Sequence, residues 1–294
     1  MLIRILKIKK GFTIPQSIRE YIQLTKPGII RGNLLSALAG FLFASHWNID
    51  VVKLVFMLLG LALVIASGCV FNNYLDRGID KKMNRTKKRA LVTRTISDRN
   101  AILFASALLF LGVAALLVVN ILTAIAAVLG HFFYVIVYGF WKRKSVYGTL
   151  VGSISGAVPP VVGYCAVVNR IDLGAILLFL VLVFWQMPHF YAIAVYRRDE
   201  YKNAAIPILS VVEGIKTTKT QILFYIVGFG ISSSLLFLMG YKGWVYGLVM
   251  ISLSAYWLFV GVKGFTVENS DKWGRQMFGL SLVVLLVWSI FVSI

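Results

Sequence analysis

Polar positions along this chain are gathered into short stretches, separated by nine long apolar runs. The runs are roughly Ile29–Ser45, Val51–Phe71, Ala101–Val119, Ile121–Phe140, Val146–Val168, Leu173–Tyr196, Ile222–Gly240, Trp244–Val262 and Met277–Ile294. A helix needs about 20 apolar residues to cross the hydrocarbon layer of a bilayer. Apolar and polar residues do not alternate within the runs, so the pattern predicts helices and not a membrane barrel. The connections near Asn120 and Tyr241 are very short, and each predicts an antiparallel helical hairpin. The expected fold is therefore all-α, a polytopic bundle of about nine transmembrane helices. The even spread of spans predicts one transmembrane domain over residues 28–294, preceded by a basic segment at 1–27.

Composition narrows the class. Of 294 residues, 59% are hydrophobic and 14% charged, too few charges for an ordinary soluble enzyme and too apolar for disorder. The net charge of +19 would suit a nucleic-acid partner, but its distribution gives another origin. With the N-terminus on the cytoplasmic side, 27 of the 30 Lys and Arg fall in inside segments. Only Lys53, Arg170 and Lys242 fall outside. That asymmetry orients the bundle and accounts for the charge without nucleic acid. Residues 1–27 carry Arg4, Lys7, Lys9, Lys10, Arg19 and Lys26 without an apolar run before a cleavage site, so neither a signal nor a transit peptide is expected. A bacterial inner membrane fits best. Two cysteines make no disulfide framework.

Six of the eleven acids lie in two long inside loops, at about 72–99 and 197–219. Asn72, Asp76 and Asp80 are spaced i, i+4, i+8 and share one face if the second span continues as a helix. Their oxygens are hard ligands, suited to Mg²⁺ held by one or two carboxylates plus substrate phosphates. The plain alternative is a polar helix end with Arg77 neutralising Asp76. Arg85 and Arg89 follow, one helical turn apart, and guanidinium forks match phosphate oxygens. The nearby Lys81, Lys82, Lys87 and Lys88 read as positive-inside charge. Tyr138 lies one turn before Lys142 and Arg143 at the next inside loop, and Asp199 and Glu200 form a second acid pair beside Tyr201 after the sixth span.

The sixth span carries Trp185-Gln186-Met187-Pro188-His189. An ionisable residue inside a membrane span is a functional candidate, and Pro188 frees backbone groups beside it. His46 and His131 lack such company and read as structural. Gly148, Gly152 and Gly156 recur every fourth residue, a pattern for close helix packing. Cys69 and Cys165 read as small buried hydrophobes.

Asn72-x3-Asp76-x3-Asp80, Tyr138-x3-Lys142 and the acids after the sixth span resemble the intramembrane UbiA-type prenyltransferase superfamily. Asn72–Leu91, Gly148–Tyr164, Trp185–Tyr191, Glu200–Leu209 and Leu24-Thr25-Lys26-Pro27 resemble its protohaem IX farnesyltransferase branch. The close likeness covers about residues 20–215. Three positions depart from the branch pattern: Ala90 where proline is common, Glu200 where aspartate is common, and Ile208-Leu209-Ser210 in place of Met-Leu-Pro. The resemblance implies a nine-helix bundle that makes haem O from haem B, farnesyl diphosphate and water. It implies Mg²⁺ held by Asn72, Asp76, Asp80, Asp199 and Glu200. Arg85, Arg89 and Lys142 would act on the departing diphosphate, with Asn72, Arg77, Tyr138, Arg143 and Tyr201 binding substrate. His189 would contact haem or help deliver a proton or water. Haem B is then a substrate, not a prosthetic group, and the site opens to the cytoplasm. By family alone, association with a terminal oxidase or haem A synthase is also implied.

Three other readings share the sequence. A superfamily relative acting on a quinone-precursor ring would use the same diphosphate site. A transporter would place its acids near the midplane and carry matching interrupted spans, which this chain does not show. A non-catalytic assembly factor leaves the acid spacing unexplained.

Overall fold

The structure, a computed structural model, describes residues 15–294. Arg4, Lys7, Lys9 and Lys10 of the expected basic segment lie outside the described residues. The remainder of that segment contains a short helix, α1 (Gln16–Leu24), which buries Leu24 and exposes Ile18 and Ile22. Next come α2 (Pro27–Ser45), α3 (Val51–Asp80), α4 (Ala90–Thr93), α5 (Asp98–Val119) and α6 (Ile121–Phe132). The α6 span continues through a π-helical segment, Phe133–Tyr138, into α7 (Gly139–Trp141). Then follow α8 (Gly148–Gly156), α9 (Val158–Val168), α10 (Leu173–Tyr196), α11 (Arg198–Asn203), α12 (Leu209–Val212), α13 (Gly214–Leu238), α14 (Trp244–Lys263) and α15 (Ser270–Ser293).

Among the described residues, nine helical spans are long and apolar enough to cross a membrane, one for each apolar run. Large apolar side chains cover their outer surface: Phe110, Phe224, Leu238 and Trp244 are each at least 65% exposed. A soluble protein does not present apolar surface on this scale, whereas lipid satisfies it. Helices overrun the apolar runs at one end of the bundle. α3 extends past Phe71 to Asp80, α13 begins at Gly214, and α15 begins at Ser270. Polar partners stabilise these extensions: Lys219 Nζ on α13 donates to Gly264 O (2.6 Å) and Ser270 Oγ (2.8 Å).

Side-chain caps fix the turns at the opposite end of the bundle. Asn120 alone joins α5 to α6: its Oδ1 accepts from Thr123 N (2.8 Å), and its Nδ2 donates to Cys165 O (3.0 Å). Asp172 Oδ1 caps α10 through Gly174 N (3.1 Å) and Ala175 N (3.3 Å). The fifth span divides at Ala157 into α8 and α9, where Pro159 and Pro160 enter the first turn of α9.

Two cores result. One is built from α2, α3, α5, α6 and α9 around Met57, Leu61 and Leu116. The other centres on α10, packed on α13 and α15, around Leu178, Ile226, Trp257 and Trp288. α2 belongs to both. Against α9 it comes so close that a Cβ on Gly163 would sit 1.9 Å from Ala37 O. It also packs on α15, and Trp47 Nε1 beyond its end donates to Ser293 O (2.6 Å).

Candidate active site

The extension of α3 beyond Phe71 carries the candidate site. Because the helix continues, Asn72, Asp76 and Asp80 do stack along one face, and all three are buried, at 4%, 7% and 5% exposure. Buried carboxylates require partners, since removing an ion from water costs several kcal/mol. Each has one or more. Asp76 Oδ2 accepts from Lys142 Nζ, and its Oδ1 accepts from Arg143 Nη2 (3.1 Å). Asp80 Oδ2 accepts from Arg89 Nη1 (2.7 Å), and Thr86 Oγ1 ties the same turn by donating to Asp80 O (3.0 Å). Asn72 Oδ1 accepts from Lys26 Nζ (3.1 Å), while Asn72 Nδ2 is buried without an acceptor. Asn73 Nδ2 donates to Leu24 O (2.9 Å), pinning the α1–α2 connection over α3.

The π-helical segment brings the next wall. It shifts the register of the α6 span, a deviation that recurs at functional sites. Tyr134 and Tyr138 stack with ring centroids 5.9 Å apart, and Lys142 Nζ lies 5.3 Å from the Tyr138 ring centroid. α8 packs closely here. A Cβ on Gly152 would meet the Tyr138 ring at 2.9 Å, which confirms the packing role of that glycine series.

The charge balance of this face is positive: Lys26, Arg89, Lys142 and Arg143 surround two carboxylates. Burial pushes the Lys26 ammonium down to about 8; the Cys69 thiol and Asp76 oppose this, and Arg89 and Lys142 add to it. Burial also lowers Lys142, against the pull of Asp76. On the opposite loop, burial raises the Tyr201 hydroxyl, and positive charge on Arg85 and Arg197 draws it back. Arg85 therefore acts electrostatically across to the second loop.

Other expected residues lie apart from this cluster. Arg77 does not neutralise Asp76. It pairs with Asp98 (3.4 Å) and covers the Tyr74 ring. Glu200 pairs with Arg197 (3.3 Å). Asp199 and Glu200 line a cleft of about 320 Å³ shared with Asp271 and Arg275, and no contact joins them to Asp76 or Asp80 among the described residues. His189 packs against α15: its Nδ1 lies 2.8 Å from Ser281 Oγ, and its ring stacks on Trp185 with Phe278 beside it. Ser281 Oγ spends its proton on Phe278 O (2.6 Å), so it accepts from His189 Nδ1–H and leaves Nε2 with a free lone pair. His131 meets Ser67 Oγ (3.2 Å), away from the acids.

Among the described residues, no three His, Cys, Asp or Glu side chains converge as a closed metal cage. The all-oxygen set on α3 fits a hard cation that keeps most of its ligands from water and substrate phosphate, the habit of Mg²⁺. The sequence reading assigned no role to Lys26, Asn73 or Tyr134. A lysine immediately before the proline that opens the first span, and a tyrosine one turn before Tyr138, were the available signals.

An acid face lined with cations thus lies at one end of a bundle with nine membrane-length helices among the described residues. The chain belongs to the UbiA prenyltransferase family, whose profile matches residues 33–289. It is 47% identical over 279 residues to the protoheme IX farnesyltransferase of Yersinia pseudotuberculosis serotype O:1b (strain IP 31758), covering 94% of this chain and 95% of that relative. It is 49% identical over 280 residues to the protoheme IX farnesyltransferase of Sodalis glossinidius (strain morsitans), covering 94% of each. Solved structures share the fold at lower identity. A digeranylgeranylglyceryl phosphate synthase superposes with a TM-score of 0.77 at 20% identity, over 94% of this chain and 98% of that one. A UbiA homologue from Archaeoglobus fulgidus, bound to GPP and Mg²⁺, superposes with a TM-score of 0.69 at 17% identity, over 93% and 99%.

Proposed function

We propose that this membrane enzyme transfers the farnesyl group of farnesyl diphosphate to a vinyl group of haem B, with addition of water, to give haem O and diphosphate. The observation that carries this reading is the buried α3 face, with cations paired to Asp76 and Asp80, in a chain 46–49% identical to protoheme IX farnesyltransferases. In the reaction the allylic C–O bond breaks and its electron pair leaves with the diphosphate. The vinyl carbon then bonds to the allylic carbon, water adds to the adjacent carbon, and one proton is released.

Asn72, Asp76 and Asp80 would hold Mg²⁺ from one side, and Asp199 and Glu200, which line a separate cleft in the structure, would approach it from the second loop. When bound, the metal neutralises charge on the departing diphosphate. Arg85, Arg89, Lys142 and Arg143 supply donors to its oxygens, and the positive balance of the face draws it in. Arg89, Lys142 and Arg143 are held on carboxylates in the structure, ready to exchange a carboxylate oxygen for a phosphate oxygen. Tyr138, stacked on Tyr134, offers an aromatic face to the allylic cation. Arg77 and Tyr201 would bind substrate, although Arg77 pairs with Asp98 in the structure. The free Nε2 of His189, flanked by Trp185 and Phe278, suits contact with a flat macrocycle, through its iron or its edge. The apolar bundle keeps bulk water from the cation.

The reading extends to placement. Residues 28–294 act as one transmembrane domain in a bacterial inner membrane, with residues 1–27, the N-terminus and the site on the cytoplasmic side, as the 27-to-3 charge split supports.

The direct test gives membranes containing the protein haem B, farnesyl diphosphate and Mg²⁺, then extracts haems for mass analysis. A farnesyl-plus-water adduct that disappears with EDTA is expected. No adduct from folded protein, with prenylation of an aromatic acid instead, would replace haem with a quinone-precursor acceptor.

A further inference from the structure

Lys26 is placed with unusual care for a residue at a helix entrance. It adopts a left-handed backbone conformation (φ 51°), uncommon for a lysine, directly before Pro27. The connection is pinned on both sides: Asn73 Nδ2 holds Leu24 O, and Thr25 Oγ1 donates to Ile22 O (2.7 Å). Lysines at membrane edges ordinarily extend their ammonium outward to water. This one turns inward to Asn72 Oδ1, into a region that already holds Arg89 and Lys142.

Stability alone gives no reason for that arrangement. An ammonium has three donors, and among the described residues this one makes a single hydrogen bond, to a neutral carbonyl oxygen. Asp76 and Asp80 are paired with other cations. Because an ammonium can meet only the oxygen of the Asn72 carboxamide, the Nδ2 group is left buried and unpartnered. Surplus donors from an ammonium and an amide, side by side beneath two further cations, match a group with many oxygens and a high negative charge.

We propose that Lys26 is a diphosphate-binding residue, supplied by the connection between α1 and α2, which occupies the Asn72 oxygen until the diphosphate arrives and then bonds to the diphosphate. The inference rests on the reading of the α3 face as the diphosphate site. It adds a cation from outside the three inside loops that carry Asp76, Lys142 and Asp199. It also gives the α1–α2 connection a function: the Asn73 tie sets the reach of Lys26.

The test uses the full chain in detergent and titrates inorganic diphosphate in the presence of Mg²⁺ by calorimetry. Wild type, Lys26→Met, Lys26→Gln, Lys26→Arg and Arg89→Ala are compared, with haem B titrated separately. Losing a charge-assisted contact to an anion should weaken diphosphate binding about tenfold or more in the Met and Gln variants. Arginine should remain within a few-fold of wild type, and haem affinity should not change. In turnover, KM for farnesyl diphosphate should rise while KM for haem stays constant, a split that a structural defect would not give. Should Lys26→Met fail to fold, Lys26→Gln retains the hydrogen bond to Asn72 and decides the matter. Wild-type affinity in Lys26→Gln, with Arg89→Ala impaired, overturns the role of Lys26 alone. A wild-type protein that does not bind diphosphate overturns the reading of the whole face.

Discussion

The Asp80–Arg89 pair allows the sharpest test of the acid face. Asp80→Asn preserves volume and removes one charge, leaving Arg89 without its carboxylate at 2.7 Å. Two unit charges with centres about 4 Å apart attract by about 4 kcal/mol at an effective dielectric of 20. The Asp80 side chain is 7% exposed but Arg89 is 24% exposed, so solvent screens part of this, and about 2 kcal/mol is the coupling expected. The assay is a double-mutant cycle of Asp80→Asn, Arg89→Gln and the double variant, followed by thermal unfolding in detergent. The single variants should each lose more than half of what the pair loses together. A second arm adds Mg²⁺ and inorganic diphosphate at a hundredfold excess over Kd, which should stabilise wild type by about 2.7 kcal/mol. Asp80→Asn should lose most of that increment and all turnover. Additive effects, together with a wild-type increment and near-normal turnover in Asp80→Asn, would refute both the coupling and the metal assignment.

Three further outcomes are expected. His189→Ala should weaken haem binding, read from the Soret band, and Ser281→Ala should weaken it a few-fold by releasing the ring from its Nδ1 partner; unchanged haem binding and rate in His189→Ala would remove it from the site. Gly163→Ala forces a Cβ to 1.9 Å from Ala37 O, so α2 and α9 must separate, at a cost of about 1–3 kcal/mol or more, seen as a lower Tm. Asp172→Ala should cost about 1 kcal/mol through loss of the α10 cap. Burial pushes the Asp172 carboxyl up, but bonds from Tyr164 and Arg170 prevail and hold it below its ordinary value. Its contribution is therefore present above the unfolded value and lost as pH falls through the lower folded one, so the variant should match wild type only in strong acid.

The spans were legible because continuous apolar runs have one stable form in lipid, and each run became a helix. Their inner ends were not, since hydropathy stops at Phe71 while hydrogen bonding carries α3 to Asp80. The i, i+4, i+8 spacing of Asn72, Asp76 and Asp80 was readable for the same geometric reason that helices are. Which cation meets which acid was not. Arg77, adjacent to Asp76 in sequence, points to Asp98, whereas Lys142 arrives from another helix. Neighbours on a helix diverge by 100°, so adjacency in sequence argues against a shared contact. Lys26 was hidden for a related reason: only the tertiary fold carries residue 26 to residue 72. The register shift at Phe133–Tyr138 left no mark in the composition, and it decides where Tyr134 and Tyr138 face.

The contact between α2 and α15 bears on how the bundle is made. The first of the nine spans among the described residues finds one of its neighbours only after the eight that follow it have been synthesised. Without α15 one side of α2 is bounded by lipid, although Phe43 already meets Tyr164 and Tyr241 in the second core. The early spans can gather by themselves, since α2, α3, α5, α6 and α9 have their own core. The bundle is complete on this side only once α15 lies beside α2. A large hydrophobic ligand could enter a nascent molecule sideways from the bilayer, and closure would then define the route by which the finished one must be loaded.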